Sequence, residues 1–222
     1  MKATKKELFY NTFSERWENS INKIEMKKRM RVIFGKLLYG IELRGREFLE
    51  VGCGLGYFSQ MAYKKGANVT AVDIGDRLVE ITKKKIPHAK ILVASAADLP
   101  FKDECFDIVL STEVIEHVED QKKTLSEQMR VLKKGGYLVL TTPNRLLKPL
   151  FDLLSFVGVR PYQGNEKWLY SHEIKQLVGK LGASIIKEVH FNFIYPNKFF
   201  DLFENIYFLN FLMVNQGYLL KK

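Results

Sequence analysis

Cysteine is scarce in this sequence: the 222 residues contain only Cys53 and Cys105, which form no C-x-x-C pair. We therefore expect neither a disulfide framework nor a cysteine-based zinc site. We expect a reducing, cytoplasmic environment. No uncharged apolar run reaches the roughly 18 residues that a membrane-spanning helix requires. The first residues are basic and no apolar stretch follows them, so a secretory signal is not expected either.

Other signatures are also missing. No internal repeat, low-complexity tract or Pro/Gly/Ser-rich linker divides the chain, no cluster of metal ligands stands out, and no recognised RNA-binding or base-handling motif occurs. What the chain has in excess is positive charge: the net charge is +10, and residues 1–46 contain twelve Lys/Arg against five Glu. Such a surplus is compatible with nucleic acid, an anionic membrane surface or an acidic substrate. Without a nucleic-acid motif, nucleic acid is the least favoured of the three.

The apolar pattern changes near residue 46. Before it, aromatic and aliphatic residues recur at helical spacing, as in Phe9, Phe13, Trp17 and Ile21. After it, strands and helices alternate, which predicts a parallel, doubly wound α/β sheet with helices on both faces. The predicted strands are 47–51, 68–74, 90–94, 106–111, 137–142, 184–193 and a short last one over 217–220. A helix that begins after the N-cap Asp120 is expected to end at Gly135 and Gly136.

Four segments follow the ends of these strands, where ligands bind in open α/β sheets. The first, Glu50-Val51-Gly52-Cys53-Gly54-Leu55-Gly56, has the spacing G-x-G-x-G rather than the dinucleotide pattern G-x-G-x-x-G, and no Lys-Ser/Thr follows as in a Walker loop. An acid two residues before the first glycine suits a cationic cofactor better than a pyrophosphate. The others are Asp73, which could bind ribose hydroxyls, Ala97-Asp98-Leu99-Pro100, which could accept from an adenine amino group, and residues 111–118.

As a set, these segments resemble the successive motifs of class I S-adenosylmethionine (SAM)-dependent methyltransferases. The resemblance extends over Phe48–Gly56, Val72-Asp73, Ala97–Phe101, Cys105–Val109 and Leu132–Gly136, about residues 45–145. Glu113–Val118 is similar to the corresponding stretch of the ubiquinone-biosynthesis O-methyltransferases and their small-molecule relatives. The resemblance implies a seven-stranded sheet with an antiparallel last strand, and one domain over 1–222: N-terminal helices or lid (1–45), cofactor core (46–145) and substrate side (146–222).

The resemblance also implies the cofactor site. SAM would lie along the glycine loop, with Asp73 at its ribose, Asp98 and Leu99 at its adenine, and Thr112 near its methionine end. The complete set of expected cofactor residues is Glu50, Gly52, Cys53, Gly54, Gly56, Asp73, Ile74, Ala97, Asp98, Leu99 and Thr112. The acceptor site would be built by the N-terminal helices and the residues after 145.

Two residues are candidates for acid–base chemistry. If the acceptor is a hydroxyl, a base near neutral pKa is useful, and His117 is the natural choice. The alternative is that His117 packs or caps the following helix. Glu113 is the second candidate, for deprotonating or orienting the acceptor, although it could equally be a solvated acid. Trp17 is either a cover over the cofactor or a core residue of its helix.

The favoured function is methyl transfer from SAM to a small molecule, at oxygen. One alternative is a SAM-binding sensor or partner subunit without turnover. Another is an NAD-dependent oxidoreductase, against which the glycine spacing argues. The basic N-terminal part and the aromatic residues 199–211 raise the hypothesis of a lipophilic acceptor and peripheral contact with an anionic membrane. Packing of the aromatic segment against the sheet or a second subunit, as in a homodimer, is the alternative.

Overall fold

The computed structural model describes residues 23–157, 166–193 and 207–222. Phe9, Phe13, Trp17 and Ile21, with the helix and cover predicted from them, lie outside these residues, as do Phe199, Phe200 and Phe203. The helices are α1 (Lys23–Val32), continued by a π-helical turn (Ile33–Leu37), α2 (Tyr57–Lys64), α3 (Asp76–Lys85), α4 (Gln121–Val131), α5 (Lys148–Phe156) and α6 (Ser171–Lys180). Short 3-10 turns occupy Ile115–His117, Arg145–Leu147 and Tyr207–Leu212.

A single seven-stranded sheet organises these helices. Its strands are β1 (Glu47–Val51), β2 (Asn68–Asp73), β3 (Lys90–Val93), β4 (Phe106–Thr112), β5 (Leu132–Pro143), β6 (Ser184–Phe193) and β7 (Met213–Lys221), in the order β3-β2-β1-β4-β5-β7-β6. The pairs from β3 to β5 are parallel, and β7 is antiparallel to both β5 and β6. The predicted doubly wound sheet with an antiparallel last strand is therefore confirmed.

The core lies on both faces of the sheet because successive strand residues point to opposite sides. In β1, Phe48 packs on the face covered by Val32 of α1 and Phe58 of α2, whereas Leu49 packs on the face covered by Met129 of α4. These side chains are almost completely buried, and each contributes about 1.5–3 kcal/mol by leaving water. Both layers thus hold β1 and β4 rigidly at the centre of the sheet.

Two boundary predictions were wrong. Asp120 caps α4 as expected, its side chain accepting a hydrogen bond from the Lys123 amide, but the helix ends at Val131. Gly135 and Gly136 belong instead to the irregular start of β5, where they pair with Lys222 through the bonds Gly135 N to Lys222 O (3.0 Å) and Lys222 N to Gly136 O (3.1 Å). The last strand is longer than predicted because it pairs with β5 over Asn215–Lys221 and with β6 from Met213 to Lys221.

Candidate active site

The carboxyl ends of β1 and β4 lie side by side. The strands that follow β1 in the chain and those that follow β4 lie on opposite sides of this pair. β2 and β3 extend from β1 on one side, and β5, β7 and β6 extend from β4 on the other. A reversal of strand order of this kind opens a crevice at the ends of the two strands. All four segments singled out in the sequence follow strands that end at this edge.

The glycine loop after β1 has a backbone that other residues do not easily adopt. Gly52, Gly54 and Gly56 all have positive φ, at 73°, 52° and 73°. A Cβ on Gly52 would collide with the side chain of Val114, which follows β4. The amide of Gly52 donates to the carbonyl of Val72 in β2 at 2.8 Å. The glycines therefore let the loop turn tightly and press against the neighbouring strand ends.

Asp73, the last residue of β2, is buried under this loop. Its Oδ2 accepts a hydrogen bond from the Gly54 amide at 2.8 Å, and its Oδ1 accepts one from the Gly75 amide at 2.9 Å. Burial raises the pKa of Asp73, and the bonds from Gly75 and Gly54 oppose that rise. Each carboxylate oxygen can accept more than one hydrogen bond, so the group remains able to accept from a ligand. Ile74 follows it, half-buried.

Glu50 is a fully buried acid beneath the loop. Ser59 of α2 donates to its Oε2, while its Oε1 has no hydrogen-bond partner among the described residues. Burial raises the pKa of Glu50 to about 8. An unpaired buried carboxyl oxygen calls for a donor or a positive charge. Cys53, also buried, has its Sγ 3.7 Å from the Thr82 hydroxyl, and burial raises the pKa of its thiol.

The segment after β3 places two further predicted residues at the edge of the crevice. The Asp98 side chain is exposed, whereas Leu99 is buried, and Ala97 is half-buried between Ser95 and Asp98. The Leu99 amide donates to Glu127 of α4 at 3.0 Å, which anchors the loop. This leaves the Asp98 carboxylate accessible to a ligand.

Thr112 ends β4, and Glu113 follows it in the left-handed region, with φ of 53°. Glu113 lies in a network of polar side chains: Thr141 Oγ1 donates to its Oε1 at 2.9 Å, and Asn215 Nδ2 donates to its Oε2 at 2.9 Å. Arg29 of α1 lies 3.7 Å from the same Oε2. Burial raises the pKa of Glu113, and the charge of Arg29 opposes the rise. The Glu113 side chain is thus fixed by hydrogen bonds and is not a solvated acid.

Glu116 and His117 lie next to this network. Glu116 is only 1% exposed and accepts a hydrogen bond from Thr142 Oγ1 at 3.1 Å. Burial, with the nearby charge of Glu113, raises the pKa of Glu116 well above its ordinary value. His117 is partly exposed, and its Nε2 lies 3.8 Å from Glu116 Oε1. The pair therefore combines a buried acid with a partly exposed imidazole.

Sequence reasoning missed three members of this network: Arg29, Thr141 and Asn215. They come from α1, β5 and β7, which the topology brings to the end of β4, and no local motif marks them. Asn215 is further held by Asn192, whose Nδ2 donates to Asn215 Oδ1 at 2.8 Å. The pairing of β5, β7 and β6 at this edge brings Thr141, Asn215 and Asn192 together, and α1 adds Arg29.

Comparison with known proteins decides the family. A family model described as a methyltransferase domain matches residues 49–140. Residues 49–140 therefore form a methyltransferase domain of the class I SAM-dependent type. A probable SAM-dependent methyltransferase of Mycolicibacterium smegmatis is 34% identical over 119 residues, 54% of this chain and 46% of that protein. A ubiquinone biosynthesis O-methyltransferase of Coxiella burnetii is 33% identical over 112 residues, 49% of this chain and 48% of that protein.

A solved structure extends the similarity to the fold as a whole. The magnesium protoporphyrin IX methyltransferase of Synechocystis, with bound SAH, has a TM-score of 0.74 to this chain at 17% identity, and the match covers 98% of this chain and 97% of that one. The chain spans about half the length of the two methyltransferase relatives named above. SAM is the cofactor of the family, and the unpaired buried oxygen of Glu50 fits a cationic ligand here.

Proposed function

We propose that this methyltransferase transfers the methyl group of SAM to an oxygen atom of a small-molecule acceptor. One observation carries the proposal: the glycine loop and Asp73 lie at the same switch point as the segment Glu113–His117 after β4. The first set of groups suits a cationic nucleoside cofactor, and the second supplies acid–base groups beside it. The similarity to ubiquinone biosynthesis O-methyltransferases supports oxygen as the acceptor atom.

The cofactor residues would be those predicted from the sequence. Bound SAM supplies a methyl group on a sulfonium, which a nucleophile displaces directly. The glycine loop would receive its methionine part, with the carboxyl group of Glu50 below and Thr112 beside it. Asp73 with Ile74 would bind the ribose, and Ala97, Asp98 and Leu99 would bind the adenine. Cys53 would contribute shape only, because burial keeps its thiol neutral.

His117 would be the base. Its imidazole is partly exposed and follows directly on the segment after β4, and the carboxyl group of Glu116 lies 3.8 Å from its Nε2. Glu113 would orient the acceptor rather than deprotonate it, because Thr141 and Asn215 donate to its two oxygens. The protein's remaining contribution is alignment of nucleophile and methyl group.

We further propose that residues 1–222 form one methyltransferase domain whose acceptor enters between the N-terminal helices and the residues after 145. A lipophilic acceptor and contact with an anionic membrane would suit helix α5, which has no buried residue. Its side chains Leu153 and Phe156 are 57% and 89% exposed, and Val157, which follows the helix, is 56% exposed. No helix among the described residues is long and apolar enough to cross a membrane.

Turnover separates an enzyme from a SAM-binding sensor or partner subunit. The purified protein is incubated with SAM carrying an isotope-labelled methyl group and with fractionated small-molecule extracts. Mass spectrometry should detect a labelled methyl ether or ester together with SAH. Tight binding of SAM without labelled product in any fraction would favour the sensor, and label on nitrogen or carbon would refute oxygen as the acceptor atom.

A further inference from the structure

The segment between β3 and β4, residues 94–105, carries the expected adenine-binding residues and contains no helix or strand. Part of its backbone is bound by α4 instead. The Leu99 amide donates to Glu127 Oε2 at 3.0 Å. The Glu104 amide donates to the Arg130 carbonyl at 3.0 Å. A segment without regular secondary structure depends on such bonds for its shape.

Arg130 of α4 engages this segment with its whole guanidinium group. Its Nη1 donates to the Phe101 carbonyl and to Asp103 Oδ1, both at 2.8 Å. Its Nη2 donates to the Leu99 carbonyl at 3.0 Å and to Glu127 Oε2 at 2.9 Å, and its Nε donates to Glu127 Oε1 at 2.8 Å. A guanidinium has five N–H donors in a fixed planar arrangement, and these contacts use all five. Arg130 therefore joins three points of the segment to a side chain of its own helix.

Glu127 holds Arg130 in this position. Both of its oxygens accept from the guanidinium, and Oε2 also accepts from the Leu99 amide. The hydrogen bond from Arg130 lowers the pKa of Glu127, burial opposes that effect, and the Leu99 amide adds to it. Leu99 is thus fixed at both of its backbone groups. Because Asp98 directly precedes Leu99, the same bonds restrict the position of the Asp98 carboxylate.

This ion pair lies outside the hydrophobic core. The Arg130 and Glu127 side chains are 30% and 18% exposed, and ion pairs near solvent contribute little to the free energy of unfolding. The apolar face of α4 is formed by other residues, Leu125, Met129 and Val131, which are buried in the core. Loss of the pair should therefore leave the fold in place and release the segment.

We propose that Arg130 and Glu127 are positioning residues that set the preference of the cofactor site for adenine. They act through Leu99 and Asp98 and not through contact with the base. The inference rests on the proposed adenine roles of Asp98 and Leu99. It adds that these roles depend on two residues of α4 that lie outside the expected set of cofactor residues.

The test compares SAH with an SAH analogue in which hydrogen replaces the adenine amino group. In calorimetric titration the unmodified protein should prefer SAH by about tenfold or more, because the analogue lacks a donor to the Asp98 carboxylate. In Arg130→Gln and in Glu127→Gln the preference should fall to about threefold or less, because a displaced acceptor loses most of a directional hydrogen bond. The double variant should lose no more than either single variant, because the two residues act as a unit.

Arg46→Gln is the matched control. Arg46 lies just before β1, where its Nε donates to the Glu42 carbonyl at 3.1 Å and its Nη1 lies 4.0 Å from Asp107 Oδ1. This variant also loses a hydrogen bond and an ion pair, but at the amino edge of the sheet, and should keep the full preference for SAH. Asp98→Ala should lose the preference without any change in α4.

The outcomes separate this inference from the function on which it rests. If Arg130→Gln and Glu127→Gln keep the full preference, or lose affinity equally for both ligands, their role is only structural and the inference is overturned, while the adenine site remains. Equal binding of the two ligands by the unmodified protein, or full preference in Asp98→Ala, would refute the adenine role of Asp98 and the inference with it.

Discussion

The Asp73 carboxylate accepts a hydrogen bond from the Gly54 amide at 2.8 Å, and this bond joins the end of β2 to the glycine loop of β1. The same residue that should bind the ribose therefore also holds the loop that should bind the methionine part. The loop and the acid form one unit, because the Gly52 amide also bonds to the strand that ends in Asp73. Changes to either should affect the binding of the whole cofactor.

Asp73→Asn should weaken SAH binding by about ten- to a hundredfold, because it removes charge from hydrogen bonds worth about 1.5–3 kcal/mol. Asp76→Asn, three residues later on the exposed first turn of α3, is the control and should change the affinity little. Isothermal titration measures both. An Asp73→Asn protein that binds SAH like the control would contradict the role of Asp73.

Gly52→Ala should destabilise the protein more than Gly135→Ala, although both glycines have almost the same φ of 73° and 74°. The left-handed conformation costs each alanine about 1–2 kcal/mol. At Gly135 a Cβ meets nothing within 4 Å, whereas at Gly52 it collides with Val114, which should add about 1–3 kcal/mol. Denaturant unfolding measures the difference.

Val114→Ala provides the check on this explanation. Combined with Gly52→Ala, it should recover most of the additional loss, because it removes the methyl group that the new Cβ meets. A double variant no more stable than Gly52→Ala alone would show that the collision is not the cause.

Glu50→Gln should become progressively more stable than the unmodified protein as the pH rises from about 5 to 8. The pKa of Glu50 is about 8 in the folded state, against an ordinary value of 4.5. Between these values the unfolded chain has lost the proton and the folded protein retains it, so stability falls by about 1.4 kcal/mol per pH unit. Glutamine stays neutral in both states and avoids this loss.

The measurement is the difference in free energy of unfolding between the two proteins at several pH values. Glu113, Glu116 and Asp73, whose pKa values are also raised, are present in both proteins, so the difference isolates Glu50. Below pH 4.5 the two stabilities should run in parallel. Parallel behaviour over the entire range would contradict the burial of a neutral Glu50.

His117→Gln should lower kcat by about 10²–10⁴-fold while the affinity for SAM stays the same, because a base acts on the acceptor and not on the cofactor. His88→Gln, an exposed histidine at the opposite edge of the sheet, should retain activity. Rates with a labelled acceptor and cofactor affinities measured by titration distinguish the two effects. An unchanged kcat would assign His117 to packing alone.

Phe156→Ser should weaken sedimentation with vesicles that contain anionic phosphatidylglycerol, because Phe156 is the most exposed side chain of α5. Tyr63→Ser, an exposed aromatic change on α2, is the control. Binding should decrease with added salt and be absent with phosphatidylcholine alone. Equal binding to both lipids would refute the membrane contact. So would a dimer that forms with rising protein concentration and is lost in Phe156→Ser.

The sheet could be predicted because each of its parts carries a local signal. The strand Ser184–Phe193 has the predicted bounds, and the glycine loop and Asp73 lie at the predicted strand ends. The helix end predicted at Gly135 and Gly136 was wrong. Two consecutive glycines often end a helix, whereas these two bond to Lys222 at the far end of the sequence. The residues near them in the sequence could not show that these glycines pair with the chain just after β7.

The surroundings of Glu113 show the same limit. The sequence marks Glu113 as a candidate, but whether it is solvated depends on Arg29, Thr141 and Asn215, which are up to about a hundred residues away. Positions of single groups follow from motifs, whereas their pairing follows from the tertiary fold.

The central claim is that the crevice over Gly52–Gly56 and Asp73 binds an adenosyl sulfonium cofactor. Calorimetric titration of the purified protein with SAM, SAH and NAD tests it most directly, after any co-purified ligand has been removed. Saturable binding of SAM and SAH at one site per chain, without binding of NAD, is the predicted result. A folded protein that binds NAD in preference, or neither adenosyl ligand, would contradict the account.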